Sequence, residues 1–420
     1  MGKRAANGES SIYEDKTGRW HGWVTMGVTE NGKPDRRHVS GKTRREVVEK
    51  VRDLEQKRGA GVVLATGAGA TTLGEWLDHW LPTIAVTRIR QSTYDGYESK
   101  IKTHIKPGLG HHRLERLQPE HLEAFYAAKV AAGLSPGTVL VMHRILSRAL
   151  KVAAQRGRVA RNVAELVEPP AAAASEVVPL TADEARKVLA AASGKRNAAR
   201  WSVGLALGLR QAEVLGARWG EDVDLDQGVW RVRQQLRRNR YRHGCGTAAP
   251  CGQEHPRNCP ERRGGLIASE PKTNRGRRTI GLPPQLLAEL RAHRQAQLEE
   301  RIKAGSAWQD HNLVFAQVNG KPIDGKRDWL NWRDLLAAAG VRHARIHDQR
   351  HTAASLLLAQ GIPPRVVMEI LGHSTIAVTM NIYAHVMPEA VSAATTAVAD
   401  VLYAPTATTT ATKPRRKRTS

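Results

Sequence analysis

RIHDQRHTAASLLLAQG, residues 345–361, sets apolar residues at helical spacing behind a polar start. Read as a helix, it puts His347 and Arg350 three residues apart on one face. A titratable imidazole beside a fixed cation can serve a single anion, and the neighbouring charge favours the neutral ring. A histidine at a helix start is as often a local cap, so the pair gains meaning only from its surroundings. Downstream, PPRVVMEILG reads as a second helix that Gly372 ends, after which His373 emerges within LGHSTIAVTMNIYAHV, residues 371–386. Tyr383 lies in that stretch. A tyrosine among apolar residues is ordinarily a packing residue with a polar tip.

The bulk charge narrows the partners. The chain has 420 residues, enough for about two to four domains with real cores. Lys plus Arg is 65 against 40 Asp plus Glu, a net charge of +25. Such an excess repels itself unless a polyanion is present, and nucleic acid is the first choice, because neutralised phosphates release counterions. An anionic membrane surface is the other choice. No apolar run approaches the length of a transmembrane helix. MGKRAANGES has no apolar segment behind its charges and does not read as a signal peptide. Three cysteines make no disulfide framework. The expectation is a cytoplasmic protein without a membrane partner, acting on DNA or RNA.

Composition divides the chain. GAGVVLATGAGA and EPPAAAASEVVP read as linkers, and APTATTTATKPRRKRTS as a low-complexity tail with a cationic end. The expected segments are 1–60, a linker 61–71, 72–168, a linker 169–179, 180–400 and a disordered basic tail 401–420. Residues 1–60 show three β-like runs with turns at Thr17-Gly18 and Asn31-Gly32, then a helix carrying Val47, Val51 and Leu54 on one stripe. Thr43 and Glu46 have capping-box spacing. Arg36, Arg37, Lys42, Arg44 and Arg45 crowd the last strand and the helix start, as a solvated face or a surface laid on DNA. Residues 72–168 read as all-helical, with Ser92 and Ser135 as N-caps. The third segment is mostly helical with β-like runs GVWRVRQQL, GLIASE and RRTIGLP.

Four stretches of the third segment stand in a fixed order: LGLRQAEVLGARW (207–219), SEPKTNRGRRTIGLP (269–283), RIHDQRHTAASLLLAQG and LGHSTIAVTMNIYAHV. Together they resemble the tyrosine recombinases, the lambda-integrase-like phage integrases. The resemblance covers most of the chain and implies an α+β multidomain fold. Its parts would be a three-stranded arm-binding domain with one helix, an all-helical SAM-like core-binding domain, and a mostly α catalytic domain with a small antiparallel sheet.

It also implies a chemistry that these residue types can supply. A phosphodiester repels nucleophiles through its anionic oxygens, and planar guanidinia neutralise them with fixed geometry. The resemblance makes Arg210 and Arg350 the clamping arginines and Glu213 the acidic support of Arg210. Lys272 would be the general acid for the departing 5′ oxygen, on a hairpin between GLIASE and RRTIGLP. Arg275, Arg277 and Arg278 are nearby candidates for plain phosphate contacts. His347 would be the general base, His373 a phosphate hydrogen bond, and Tyr383 the nucleophile that forms a 3′-phosphotyrosine. Gln349 stands where the family usually has a hydrophobic residue, which would slightly weaken helix packing.

The aryl ester conserves bond energy and the cations replace a metal, so neither ATP, metal nor other cofactor is expected. The implied partners are double-stranded DNA attachment sites, a homotetramer in the synapse, an excisionase and a host DNA-bending protein, in a bacterial nucleoid. In the family a helix such as MPEAVSAATTAVADVL docks on a neighbouring protomer. The rival readings are a type IB topoisomerase, a chromosome-dimer resolvase and a DNA-binding relative without catalysis. RNRYRHGCGTAAPCGQEHPRNCPERRGG holds all three cysteines. There Cys245, Cys251, His255 and Cys259 offer four ligands for a structural zinc, or else a cationic loop with reduced thiols.

Overall fold

The computed structural model describes residues 11–28, 34–59, 71–171, 178–246, 250–271, 276–373, 375–383, 395–396, 398–399 and 402–403. Contacts divide the chain into two units, Met1–Ser175 and Glu176–Ser420. The expected linker 61–71 and the tail lie almost wholly outside the described residues, as does the middle of the linker 169–179, residues 172–177. No described helix is long and apolar enough to cross a membrane.

In the first unit, β1 (Ser11–Glu14), β2 (Trp20–Val28) and β3 (Pro34–Gly41) form an antiparallel sheet in chain order. The Asp15 carboxylate accepts the amides of Thr17 and Arg19, at 2.8 and 3.0 Å, and so shapes the first turn. Helix α1 (Arg44–Gly59) buries Val47 and Val51 against Val24, with Leu54 at the edge. The sheet admits it at Gly22, where a Cβ would lie 2.6 Å from a Val51 methyl. Thr43 accepts the Glu46 amide at 3.3 Å, while Glu46 reaches the Lys42 amide at 3.1 Å. Three strands and a helix is the arrangement the sequence implies.

Helices α2 (Leu73–His79), α3 (Gln91–Lys100), α4 (Lys106–Leu109), α5 (Pro119–Ala131) and α6 (Pro136–Gln155) follow. Single π-helical stretches at Trp80–Ala85 and Ile101–Ile105 widen the first two runs. Such wide turns are rare. Here they bury Trp80, Ile101 and Ile105 in a core that includes Trp76, Leu122, Met142 and Leu146. Ser135 caps α6 by accepting the Thr138 amide at 3.3 Å. Ser92 does not cap: the Arg90 carbonyl already takes the amides of Thr93 and Tyr94, so α3 starts earlier and Ser92 sits within its first turn.

The second unit contains α7 (Ala182–Ala192), α8 (Ala199–Leu207), α9 (Gln211–Gly216), β4 (Val223–Asp224), β5 (Val229–Val232), β6 (Gln235–Arg242), β7 (Arg263–Ser269) and β8 (Arg278–Gly281). Then come α10 (Pro284–Ala304), α11 (Gly325–Ala338), α12 (Asp348–Ala359), α13 (Pro364–Leu371) and α14 (Ile376–Tyr383). One core gathers Val203, Leu215, Trp219, Trp230 and Phe315, and another Val188, Trp201, Trp332 and Leu335.

The strands correct one expectation. β7 and β8 are not hairpin partners: β6 pairs with β7, and β5 with β8. Val232 faces Arg278 and Gln235 faces Ser269, so three residues forward on one strand match nine on the other (235 − 232 against 278 − 269). The surplus of six falls between Ser269 and Arg278, where the chain passes from one sheet to the other. Lys272 is in this interval and lies outside the described residues.

Candidate active site

The site forms where α8 and α13 end and α9 and α12 begin. Helix α8 terminates at Gly208, whose φ of +59° is left-handed. A larger residue would force its neighbours to shift, because a Cβ there would meet Leu371 at 2.4 Å and Ala353 at 3.1 Å. The turn frees the Gly208 carbonyl, which accepts from an Arg350 terminal nitrogen at 2.9 Å. Arg350 is 2% exposed. Its Nε donates to His373 Nε2 at 3.2 Å, and its NH2 nitrogen is buried with no hydrogen-bond partner among the described residues. Burial, then the charges of Arg210 and Arg278, lower its pKa to about 9.

Arg210 opens α9 and stays partly exposed. It donates to Glu213 Oε1 at 2.7 Å and to the Gly372 carbonyl at 3.1 Å. Glu213 is 3% exposed and also receives Arg278 at 2.9 Å. Burial alone would raise the Glu213 pKa, but the Arg278 and Arg210 charges outweigh it and hold the carboxyl below its usual range. Arg278 donates besides to the Ile370 carbonyl at 2.6 Å. It is therefore a buried scaffold and not a surface phosphate contact. Arg277 pairs with Glu270 at 2.7 Å, and Arg275 lies outside the described residues. Three guanidinia thus surround one carboxylate, an excess of two positive charges that an anion would reduce.

Both nitrogens of His373 are engaged. Because Arg350 donates to Nε2, the proton sits on Nδ1, which donates to Thr379 Oγ1 at 2.8 Å. Burial, with Arg350 and Arg210, lowers the His373 pKa to about 3. Gly372, at φ +67°, ends α13 as expected, and the His373 amide closes on the Met368 carbonyl at 3.0 Å. Thr379 is fully buried and anchors α14 to this corner.

His347 precedes α12 and keeps an exposed edge. The protein packed around the rest of the ring, with His351, Arg350 and Arg210, lowers its pKa to about 4, so it is neutral. The His351 ring meets it edge-on at 5.1 Å. Tyr383 is the last residue of α14, four after Thr379 and so one turn along the same helix face; its side chain lies outside the described residues. The structure thus brings Arg210, Glu213, His347, Arg350 and His373 together. It leaves Lys272 undescribed.

Residues 265–390 match the family model described as the phage integrase family, and residues 72–130 match the phage integrase N-terminal SAM-like domain. An integrase of Saccharopolyspora erythraea is 40% identical, across 91% of this chain and 94% of that protein. The chain belongs to the phage integrase family. A tyrosine recombinase XerC-like protein of Caldanaerobacter subterraneus is 28% identical over 87% of this chain and 92% of that one. Among solved structures, the Tn1549 transposon integrase in complex with transposon right end DNA has a TM-score of 0.60. It is 20% identical and covers 74% of this chain and 95% of its own. A lambda integrase tetramer bound to a Holliday junction has a TM-score of 0.52 at 17% identity, over 87% of this chain and 95% of that one. These two likenesses establish the shared α+β fold.

In this tyrosine recombinase the structure also gives partners that sequence reading does not supply. Gln349 is buried, and its Oε1 accepts from Arg200 at 3.3 Å. Arg200 is clamped on Asp328 at 2.9 and 3.1 Å, and Gln211 joins the same carboxylate at 2.9 Å. Gly204 leaves room for Gln349, since a Cβ would meet its Oε1 at 2.1 Å. The polar residue is thus part of a buried ionic network and not a defect in apolar packing. Two residues before Arg350, Asp348 binds Arg345, at 3.0 Å, and the Arg345 amide, at 2.7 Å. A helical periodicity reveals none of these partners. Finally, the structure gathers His243, not His255, with the three cysteines. His255 is exposed at the start of a short turn.

Proposed function

We propose that this recombinase cuts and rejoins double-stranded DNA at attachment sites through a 3′-phosphotyrosine, integrating a phage or mobile element. The observation that carries the reading is the Arg350 donor beside Arg210, buried and without a partner among the described residues. Two guanidinia with an unbalanced charge make a slot for one phosphodiester. Neutral His347, next to them, can accept a proton from a phenol whose ordinary pKa is about 10. Tyr383 is the nucleophile in this reading, and its position at the end of α14 supports it. Arg210 and Arg350 clamp the phosphate, and Glu213 with Arg278 holds Arg210 in place. Lys272 delivers the proton to the leaving 5′ oxygen in this reading. His373 orients Arg350, and reaches a phosphate oxygen only if Arg350 releases its Nε2.

Tetramer assembly on DNA is supported by the lambda integrase likeness. An excisionase and a host DNA-bending protein complete the partners. The three-stranded module at residues 11–59 supports an integrase with arm sites over a chromosome-dimer resolvase. The test uses DNA flanking the reading frame as the attachment site, nicked beside the crossover so that the cleaved strand cannot religate. Covalent protein–DNA adducts should accumulate in the presence of chelator and vanish in Tyr383→Phe. Adducts that persist in that variant end the assignment.

A further inference from the structure

Between β6 and β7, the described residues 243–246 and 250–262 stand at the end of that two-stranded sheet and belong to no hydrophobic cluster. Of these only Cys259 is buried, and most of the others are exposed. A solvent-bathed excursion of this length without a core ordinarily needs a staple. Three cysteines cannot all pair as disulfides, and all three are free.

What lies together is His243, Cys245, Cys251 and Cys259, with their ligand atoms all within 4.8 Å of one another. Cys259 Sγ is 3.6 Å from Cys245 Sγ, and His243 Nδ1 is 3.5 Å from Cys251 Sγ and 3.9 Å from Cys245 Sγ. A tetrahedral zinc with bonds of about 2.3 Å to sulfur and about 2.0 Å to nitrogen needs edges of about 3.8 Å between sulfurs and about 3.6 Å between sulfur and nitrogen. These three separations lie within about 0.3 Å of those edges. We propose that His243 Nδ1 and the thiolates of Cys245, Cys251 and Cys259 bind one structural Zn²⁺ that folds the tip of the β6–β7 ribbon.

The backbone is shaped for it. Gly244, between two ligands, packs so closely that a Cβ would lie 1.9 Å from the Glu261 carbonyl oxygen. Gly246 and Gly252, each next to a ligand cysteine, hold φ of +108° and +68°. The turn Pro256–Asn258 delivers Cys259, whose carbonyl accepts the Arg262 amide at 3.0 Å and starts the return. Three soft thiolates with one imidazole select zinc over the hard cations, and four protein ligands leave no open position for catalysis. The nearby Arg242, Arg257, Arg262 and Arg263 offset the negative charge of the complex. The site does not depend on the recombinase reading.

The test is elemental analysis of the full-length protein purified without chelator. The expected result is about one zinc per chain, with mercurial titration of the thiols releasing it. Cys251→Ser with Cys259→Ser should lose at least nine-tenths of it, His243→Ala most of it, and His255→Ala none. Reconstitution of thiol-reduced, metal-free protein with Co²⁺ should give the intense visible bands of a tetrahedral thiolate site. Because the tip lies outside the apolar cores, the double variant should keep the melting temperature of the main fold while its tip becomes sensitive to protease. Zinc below a tenth of an equivalent, no cobalt bands, iron in its place, or loss on His255→Ala would each overturn the proposal.

Discussion

Arg350 donates from Nε to His373 Nε2 at 3.2 Å while its NH2 nitrogen stays buried without a partner among the described residues. A buried unsatisfied donor costs about 1–3 kcal/mol, more when charged. The surrounding contacts enforce that cost: the Gly208 carbonyl and His373 hold the guanidinium plane, and the third nitrogen is left for a ligand. Arg350→Lys keeps the charge but loses the fork. Adduct formation on nicked attachment-site DNA should fall about 10²–10³-fold, the usual cost of one oxyanion donor. Affinity in a gel shift should change much less. Cleavage within a few fold of the parent would show that the orphan nitrogen is not the phosphate donor.

Glu213→Gln keeps the shape but leaves Arg210 and Arg278 facing each other across a neutral amide. Removing one partner of a buried ion pair costs about 3–5 kcal/mol. The melting temperature should drop accordingly. Inorganic phosphate or sulfate should stabilise the variant more than the parent, by restoring negative charge between the arginines. An equal salt response in both would mean the arginines do not share an anion site.

The histidines set a pH limit. His373, with a pKa near 3, and His347, near 4, both lie below the unfolded value of about 6.5. The unfolded chain therefore binds more protons below pH 6.5, so the stabilisation is complete above 6.5 and drains as pH falls toward 4 and then 3. Between pH 6.5 and 5 the buried His373 alone would lose about 2 kcal/mol, from 1.5 pH intervals of 1.36 kcal/mol each. His373→Gln, which can still accept from Arg350 and donate to Thr379, should flatten the dependence of melting temperature on pH over that interval. An unchanged slope would mean that His373 is not held neutral.

The fold was legible wherever the chain repeats. Apolar spacing marks α5, α6, α12 and α13, and Gly372 marks an end because only glycine takes φ +67° cheaply. The β1–β2 hairpin follows from its turn at Thr17-Gly18, while the turn expected at Asn31-Gly32 lies outside the described residues. Non-local pairing was not legible. GVWRVRQQL reads as one strand, yet it divides between two sheets because the return strand carries six surplus residues, a register that no local pattern encodes. Arg210, His347 and Arg350 stand out because they repeat a known spacing. Arg278 sits in a run of arginines, and only the fold shows that it is buried on Glu213 while Arg277 is exposed on Glu270. In the cysteine loop, the sequence reading took His255 as the fourth ligand, and contact geometry puts His243 there instead.

Gly208→Ala separates backbone strain from contact in the site. Two positions have nearly the same left-handed φ, +59° at Gly208 and +63° at Gly340. At Gly340 a Cβ meets nothing within 4 Å, whereas at Gly208 it meets Leu371 at 2.4 Å and Ala353 at 3.1 Å. Gly340→Ala should therefore cost only the conformational term, about 1–2 kcal/mol. Gly208→Ala adds an overpacking cost of about 1–3 kcal/mol. It also moves the carbonyl that fixes Arg350, so cleavage should fall at least tenfold at temperatures where the variant is still folded, while Gly340→Ala cleaves normally. Paired melting curves and trapping assays on the two variants check this. Equal melting temperatures with equal cleavage would mean that the close approach of α8 to Leu371 does not position the arginine.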